Sequence, residues 1–257
     1  MLKNYTSGTS DETLQWAMMA ITKLKTGLDT WFDAPTILLD GGRAMNGSKV
    51  VPQGGHFNSS GWFPVPLDVV GGLAVDCQTW GMTVMGQPRI DKNFGHGTAY
   101  NIWQAAKKYA GYYKGPTLCG VGYTDLANSN GSVPVNDIWS AEWTFGAINM
   151  AQTLSQQYAA AGEAQWAAEF LADAQSMYNE VTMLWPQGLR FPDGSYVYAN
   201  KRFFIPWGWF SNPVSALCST GWSVMMDRNF APFHYGGGNK PKLTIPPHLL
   251  ETGYYDW

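Results

Sequence analysis

From Trp139 to Tyr158 the apolar residues fall at helical spacing, with Trp139, Trp143, Ala147, Met150, Leu154 and Tyr158 forming one stripe. Gly162 interrupts, and a second stripe of Trp166, Phe170, Ala174 and Met177 runs through Glu163 to Leu184. A glycine between two such stripes ends one helix and lets the chain reverse. The pair therefore predicts a helical hairpin with a tight turn. Two long amphipathic helices need further helices to cover their apolar sides, which points to a mainly α architecture and away from a β sandwich.

The remaining periodic segments agree. Leu14, Met18, Ile21, Leu24 and Leu28 mark a helix over 12–31, with Ser10 or Asp11 as its cap. Further helices are predicted over 69–85, carrying Asp76 and Trp80 at i, i+4, and over 98–113. Asn136 or Asp137 is placed to cap the helix of Glu142, and Asn212-Pro213 to open a last helix through Met226. Short strands or long loops fill Pro35 to Pro66, where Thr36-Ile-Leu-Leu and Lys49-Val-Val-Pro are the apolar runs. Phe191 to Phe210 reads as a hairpin turning at Pro192-Asp-Gly194. At 257 residues one domain is expected, here 1–236, with 237–257 an irregular Pro-rich tail. That tail either folds back over the helices or reaches another copy through Tyr254, Tyr255 and Trp257.

What such a layer would bind is constrained by its surface chemistry. Only 14% of the residues are charged, against roughly 25% in an ordinary soluble domain, while 13 Trp, 13 Tyr and 12 Phe are present. Rings that keep one polar atom suit sugars and other flat polar ligands. The formal charge of -3, with no Lys/Arg cluster, argues against nucleic acid. No apolar run is long enough to cross a membrane, and the first ten residues lack the apolar core of a signal peptide. Cys77, Cys119 and Cys218 allow at most one internal disulfide and form no Cys-x-x-Cys metal spacing. With no His-x-x-x-His pair and no phosphate-binding glycine loop, neither a metal nor a redox cofactor is expected. Sequons at Asn4, Asn46, Asn58 and Asn130 favour an extracellular setting.

Within Trp139-Ser-Ala-Glu-Trp-Thr-Phe145, Glu142 lies beside the apolar stripe. Apolar rings disfavour an ionised carboxylate, so Glu142 is the candidate general acid; solvent exposure or loop capping is the alternative. Glycoside hydrolysis needs a second carboxylate across the bond. Asp76 and Asp125 are the candidates, with Asp137 better suited to capping. His96, between Gly95 and Gly97, could work with Tyr100 or Tyr123 in an elimination, or simply bond a loop carbonyl. Trp80, Trp139, Trp143, Trp207 and Trp209 offer rings for stacking, and Arg202 either holds a substrate carboxylate or pairs with Asp193 or Asp227.

Val75-Asp-Cys-Gln-Thr-Trp-Gly81, Asn136-Asp-Ile-Trp-Ser-Ala-Glu-Trp-Thr144, Tyr198-Ala-Asn-Lys-Arg202 and Trp207-Gly-Trp209 together resemble the six-hairpin (α/α) toroids of glycoside hydrolases and some polysaccharide lyases, over roughly 69–236. The resemblance implies a polysaccharide or oligosaccharide substrate and a ring of helical hairpins with its loops on one face. A complete ring of that type has twelve helices and this chain supplies about half. The expectation is then an incomplete toroid, a part of a longer enzyme, or a ring completed by a partner chain or a homo-oligomer. Three readings stand: a hydrolase, a lyase acting on an acidic glycan, and a non-catalytic extracellular assembly or glycan-binding protein.

Overall fold

The computed structural model of the protein describes residues 11–32, 36–39, 44–51, 55–58, 61–64, 73–125, 136–205, 208–233 and 240–250. The order is α1 (Asp11–Phe32), β1 (Thr36–Leu39), β2 (Ala44–Val50), β3 (Gly55–Asn58), β4 (Gly61–Pro64), α2 (Val75–Met85), α3 (Gln87–Phe94), α4 (Thr98–Ala110), β5 (Gly111–Lys114) and β6 (Thr117–Val121). After these come α5 (Ala141–Ala160), α6 (Ala164–Val181), β7 (Phe203–Ile205), β8 (Trp209–Ser211), α7 (Leu217–Asp227) and α8 (Pro247–Leu250). The strands form four separate antiparallel pairs, so the protein is mainly helical.

Helix α5 is the centre. Fifteen of its 20 residues are buried, more than one stripe could cover, so neighbours must enclose it on several sides. The predicted hairpin with α6 forms, and Gly162, at φ 84°, closes the turn. Helix α4 runs antiparallel to α5. Its start is tied to the end of α5 where the Tyr100 N–H donates to Tyr158 Oη (2.9 Å). Its end lies by the approach to α5, where Ala110 O accepts from Gly122 N (2.8 Å) and Asn136 Nδ2 (2.7 Å).

A buried carboxylate fixes the α3–α4 corner. Asp91, 9% exposed, accepts the backbone N–H groups of Gly97 (3.1 Å) and Ala99 (2.9 Å), the Gln87 amide (3.1 Å) and the Tyr158 hydroxyl (3.2 Å). Two otherwise orphan donors at the start of α4 are thereby satisfied from outside that helix.

Several predicted boundaries move. Helix α2 starts at Val75, and positions 69–72 lie outside the described residues. Helix α4 ends at Ala110, because the chain turns at Gly111 into β5; a Cβ there would stand 2.3 Å from Lys107 O. Helix α3 forms where no helix is predicted. Pro192-Asp-Gly194 does make a turn, with Phe191 N donating to Ser195 O (2.7 Å), but it joins Arg190 to Tyr196, while β7 pairs with β8. Pro213 does not open α7: Val197 bridges Ser215, which holds the chain extended until Leu217. On α1, Met18 and Ile21, two of the apolar residues at helical spacing, are 64% and 50% exposed.

Residues 240–250 fold back across α5 and α6. Gln152 Nε2 donates to Pro241 O (2.6 Å), Gln175 exchanges two bonds with the Thr244 backbone, His248 meets Thr182 Oγ1 (3.1 Å), and Leu249 is fully buried. Tyr254, Tyr255 and Trp257 lie outside the described residues. Lys240 Nζ is buried on Asn149 Oδ1 (2.7 Å) and Phe230 O (3.2 Å). Burial lowers its pKa from 10.5 to about 8. The unfolded chain then holds more protons between about pH 8 and pH 10.5, so stability rises with pH across that window. Lys240→Met should flatten this rise, as read by urea unfolding at the two ends of the window; an unchanged slope would contradict it.

Candidate functional site

Main-chain bonds set the first turns of three helices side by side. Val75 N donates to Tyr123 O (3.0 Å) and Ala74 bridges Thr124 at the head of α2. Ser140 N donates to Val121 O (3.0 Å) and Ser140 bridges Ala199 at the head of α5. Ala216 N donates to Tyr196 O (2.9 Å) at the head of α7. Helices α2, α5 and α7 therefore begin at one end of the layer, while α4 and α6 return in the opposite sense. Their second residues are Asp76, Glu142 and Cys218.

These three side chains form the electrostatic centre of the site. Burial raises the carboxyl pKa of Glu142, the Cys218 thiol donates a hydrogen bond that opposes the rise, and the nearby negative charge of Asp76 adds to it. The Asp76 carboxyl is also raised by burial, but its charged form is held by backbone N–H groups, with Cys77 N at 2.7 Å. Main-chain donors at a helix start favour the anion. Both carboxyls are thus raised, Asp76 against main-chain donors and Glu142 against a thiol donor. The Cys218 thiol, bonded to Glu142, is pushed up to about 11, chiefly by burial.

Aromatic groups wall this end. Tyr123 is fully buried, packs edge-on against Trp143 (4.8 Å between centroids) and donates to Tyr198 O (3.2 Å). Tyr198 Oη accepts from Trp209 Nε1 (3.1 Å), and its own pKa is raised by burial and then by the charge of Glu142. Trp209 is 41% exposed, so it presents a ring to solvent near the pair. Trp143 and Trp139 are core residues: Trp139 is 2% exposed, stacked under Tyr112 at 5.0 Å with Lys114 Nζ 5.0 Å from its ring. Trp80, half-buried, stacks on Trp222 (5.6 Å), and its Nε1 lies where a Cβ on Gly146 would meet it at 2.2 Å. Asn200 clamps the entry to α5 by accepting from Trp139 N (2.8 Å) and donating to Asp137 O (3.0 Å).

The other predicted residues have other partners. Asp125 braces a loop, its Oδ1 accepting from Leu73 N (3.3 Å) and Thr124 Oγ1 (2.8 Å). Asp137 and Asn136 do not cap α5: Ser140 does, accepting from Trp143 N (3.5 Å), while Asp137 pairs with Lys201 (3.1 Å) and Asn136 Oδ1 accepts from Ile138 N (3.0 Å). Arg202 lies 4.2 Å over the Phe210 ring; Asp193 binds Ser195 and Asp227 meets Tyr178 instead. Trp207 lies outside the described residues. His96 bonds Glu163 (2.8 Å), not a loop carbonyl, and it and Tyr100 both lie 5.0 Å from Trp166. Tyr100 Oη donates to Glu169 (2.7 Å). Glu163 follows the last turn of α5 and Glu142 sits in its first, a rise of roughly 25 to 30 Å. His96 and Tyr100 are therefore not joined to Tyr123 and Glu142.

Cys218, Tyr198 and Trp222 were not singled out from sequence as site residues. Cys218 had a readable signal only if the head of α7 had been located at Leu217. Among the described residues the three cysteines are free thiols, no group of three or more His, Cys, Asp or Glu could hold a metal ion, and no helix is long and apolar enough to cross a membrane. Comparison of the chain with protein-family models, curated proteins and solved structures finds no match.

Proposed function

We propose that the protein cleaves glycosidic bonds by hydrolysis, with Glu142 as proton donor and Asp76 as the ionised partner that activates water or stabilises positive charge at carbon. The observation that carries this is the half-buried Asp76–Glu142 pair, in which the charge of Asp76 adds to the rise of the Glu142 pKa. A raised carboxyl suits the acid role of Glu142, and the main-chain donor on Asp76 suits an ionised partner. Trp209 and Tyr198 supply rings for a sugar face. The shared end at which α2, α5 and α7 begin, with α4 and α6 running the opposite way, supports an (α/α) toroid sector, completed by a partner chain or by further sequence. An extracellular setting suits a polysaccharide substrate. The separation of His96 and Tyr100 from Tyr123 favours hydrolysis over elimination.

The test is incubation of the purified chain with neutral and acidic polysaccharides. New reducing ends without the ultraviolet absorbance of an unsaturated uronate support the proposal. Absorbing products would indicate elimination, and no cleavage of any glycan would leave the non-catalytic reading in its place.

Cys218 offers a second check on the acid. Its hydrogen bond lowers the Glu142 pKa, so Cys218→Ala should move the alkaline limb of the pH–rate profile upward. A limb that stays put or moves down would remove Glu142 as the titrating acid.

A further inference from the structure

A cavity of about 300 Å³ opens beyond the other end of α7, between its last turn, α5, α6 and the returning tail. This volume is at the lower end of what small-molecule sites enclose. It is separate from the Asp76–Glu142 pair, which sits at the heads of α2 and α5.

The lining combines three kinds of chemistry. Gln152 is 1% exposed, and no donor among the described residues reaches its Oε1. Its amide nitrogen is already committed to Pro241 O at 2.6 Å, which fixes the oxygen as the free end. A buried acceptor of that kind calls for a ligand donor. The Asp227 carboxylate, which accepts from Tyr178 Oη (3.4 Å), lines the same space and adds negative charge to it. Arg228 and Lys242 approach from the end of α7 and from the tail, and the ion pairs among the described residues include neither. Leu243 and Ile245 supply an aliphatic wall.

We propose that this cavity binds a free α-amino acid with an aliphatic side chain. The ammonium donates to Gln152 Oε1 and faces Asp227, the carboxylate meets Arg228 and Lys242, and the side chain lies on Leu243 and Ile245. A sugar acid would satisfy the cations and the acceptor but would waste the aliphatic wall, which argues for the amino acid. Because the tail supplies one wall, occupancy should also hold residues 240–250 in place.

Leucine is the ligand to use, titrated into the full chain by calorimetry, with 4-methylpentanoate, which lacks the ammonium, and glucuronate as comparisons. Saturable leucine binding is expected, weaker by about tenfold or more for 4-methylpentanoate and in Asp227→Asn, as loss of a charged hydrogen bond implies. Arg228→Ala changes an exposed residue and should weaken leucine binding to a similar extent with the thermal midpoint intact. Glu142→Gln should bind leucine like the parent. Absence of saturable leucine binding, glucuronate binding as tight as leucine, or an unchanged affinity in Arg228→Ala would each overturn the assignment.

Discussion

Glu142→Gln is expected to lower glycosidic cleavage by about 10²- to 10⁴-fold, the usual contribution of a general acid, while leaving the helical circular dichroism spectrum unchanged. The amide keeps the shape of the carboxyl and cannot supply the proton. Stability should move the other way. Folding raises the carboxyl pKa values of Glu142 and Asp76, so between their ordinary values near 4 and the higher folded values the native state holds more protons than the unfolded chain. Stability therefore falls as pH rises through that window. Removing the charge by Glu142→Gln or Asp76→Asn should raise the thermal midpoint at pH 7, with the gain vanishing below about pH 4. Such a trade of activity against stability is common where a site holds destabilising groups. An inactive variant that also melts earlier than the parent would mark Glu142 as a structural carboxylate.

Asp91→Ala should be among the most destabilising single changes in the chain, at about 3–5 kcal/mol, because it strands several buried donors at once. The Gly97 and Ala99 N–H groups and the Tyr158 hydroxyl all lose an acceptor in an enclosed corner. Tyr158 also receives the Tyr100 N–H, so the damage passes to the contact between α4 and α5. Chemical denaturation of parent and variant measures the difference. A loss under about 1 kcal/mol would show that the freed donors find water.

Local periodicity made some of this legible in the sequence and concealed the rest. The stripes on α5 and α6 and the Gly162 break were readable because helix period and chain reversal are properties of neighbouring residues. Helix α3 is hard to read because Gln87-Pro-Arg-Ile-Asp-Lys-Asn-Phe94 is only eight residues long with a stripe of just Ile90 and Phe94, and its anchor, Asp91, bonds to the next helix. At α7 the cap-like Asn212-Pro213 was outweighed by a bridge from Val197, some 18 residues upstream in the chain. Glu142 was singled out for Trp139 and Trp143, yet those rings are core. What raises its pKa is enclosure by the fold together with Asp76, which lies far off in sequence. The glycines that flank His96 have a local task. Gly95 and Gly97 have φ of 105° and 78°, and a Cβ on Gly97 would sit 2.9 Å from Trp166, so they serve the turn into α4.

The backbone bonds that tie the heads of α2, α5 and α7 together behave as a row of sockets cut in a common rail. Each socket presents the second residue of its helix, whatever that residue is, and its spacing from the next is set by amide groups common to all amino acids. Exchange of side chains at 76, 142 and 218 can then alter the chemistry at this end without recutting the rail. Lengthening the loops elsewhere should leave the spacing of those three positions untouched, which makes this edge of the protein the natural place to redesign a reaction.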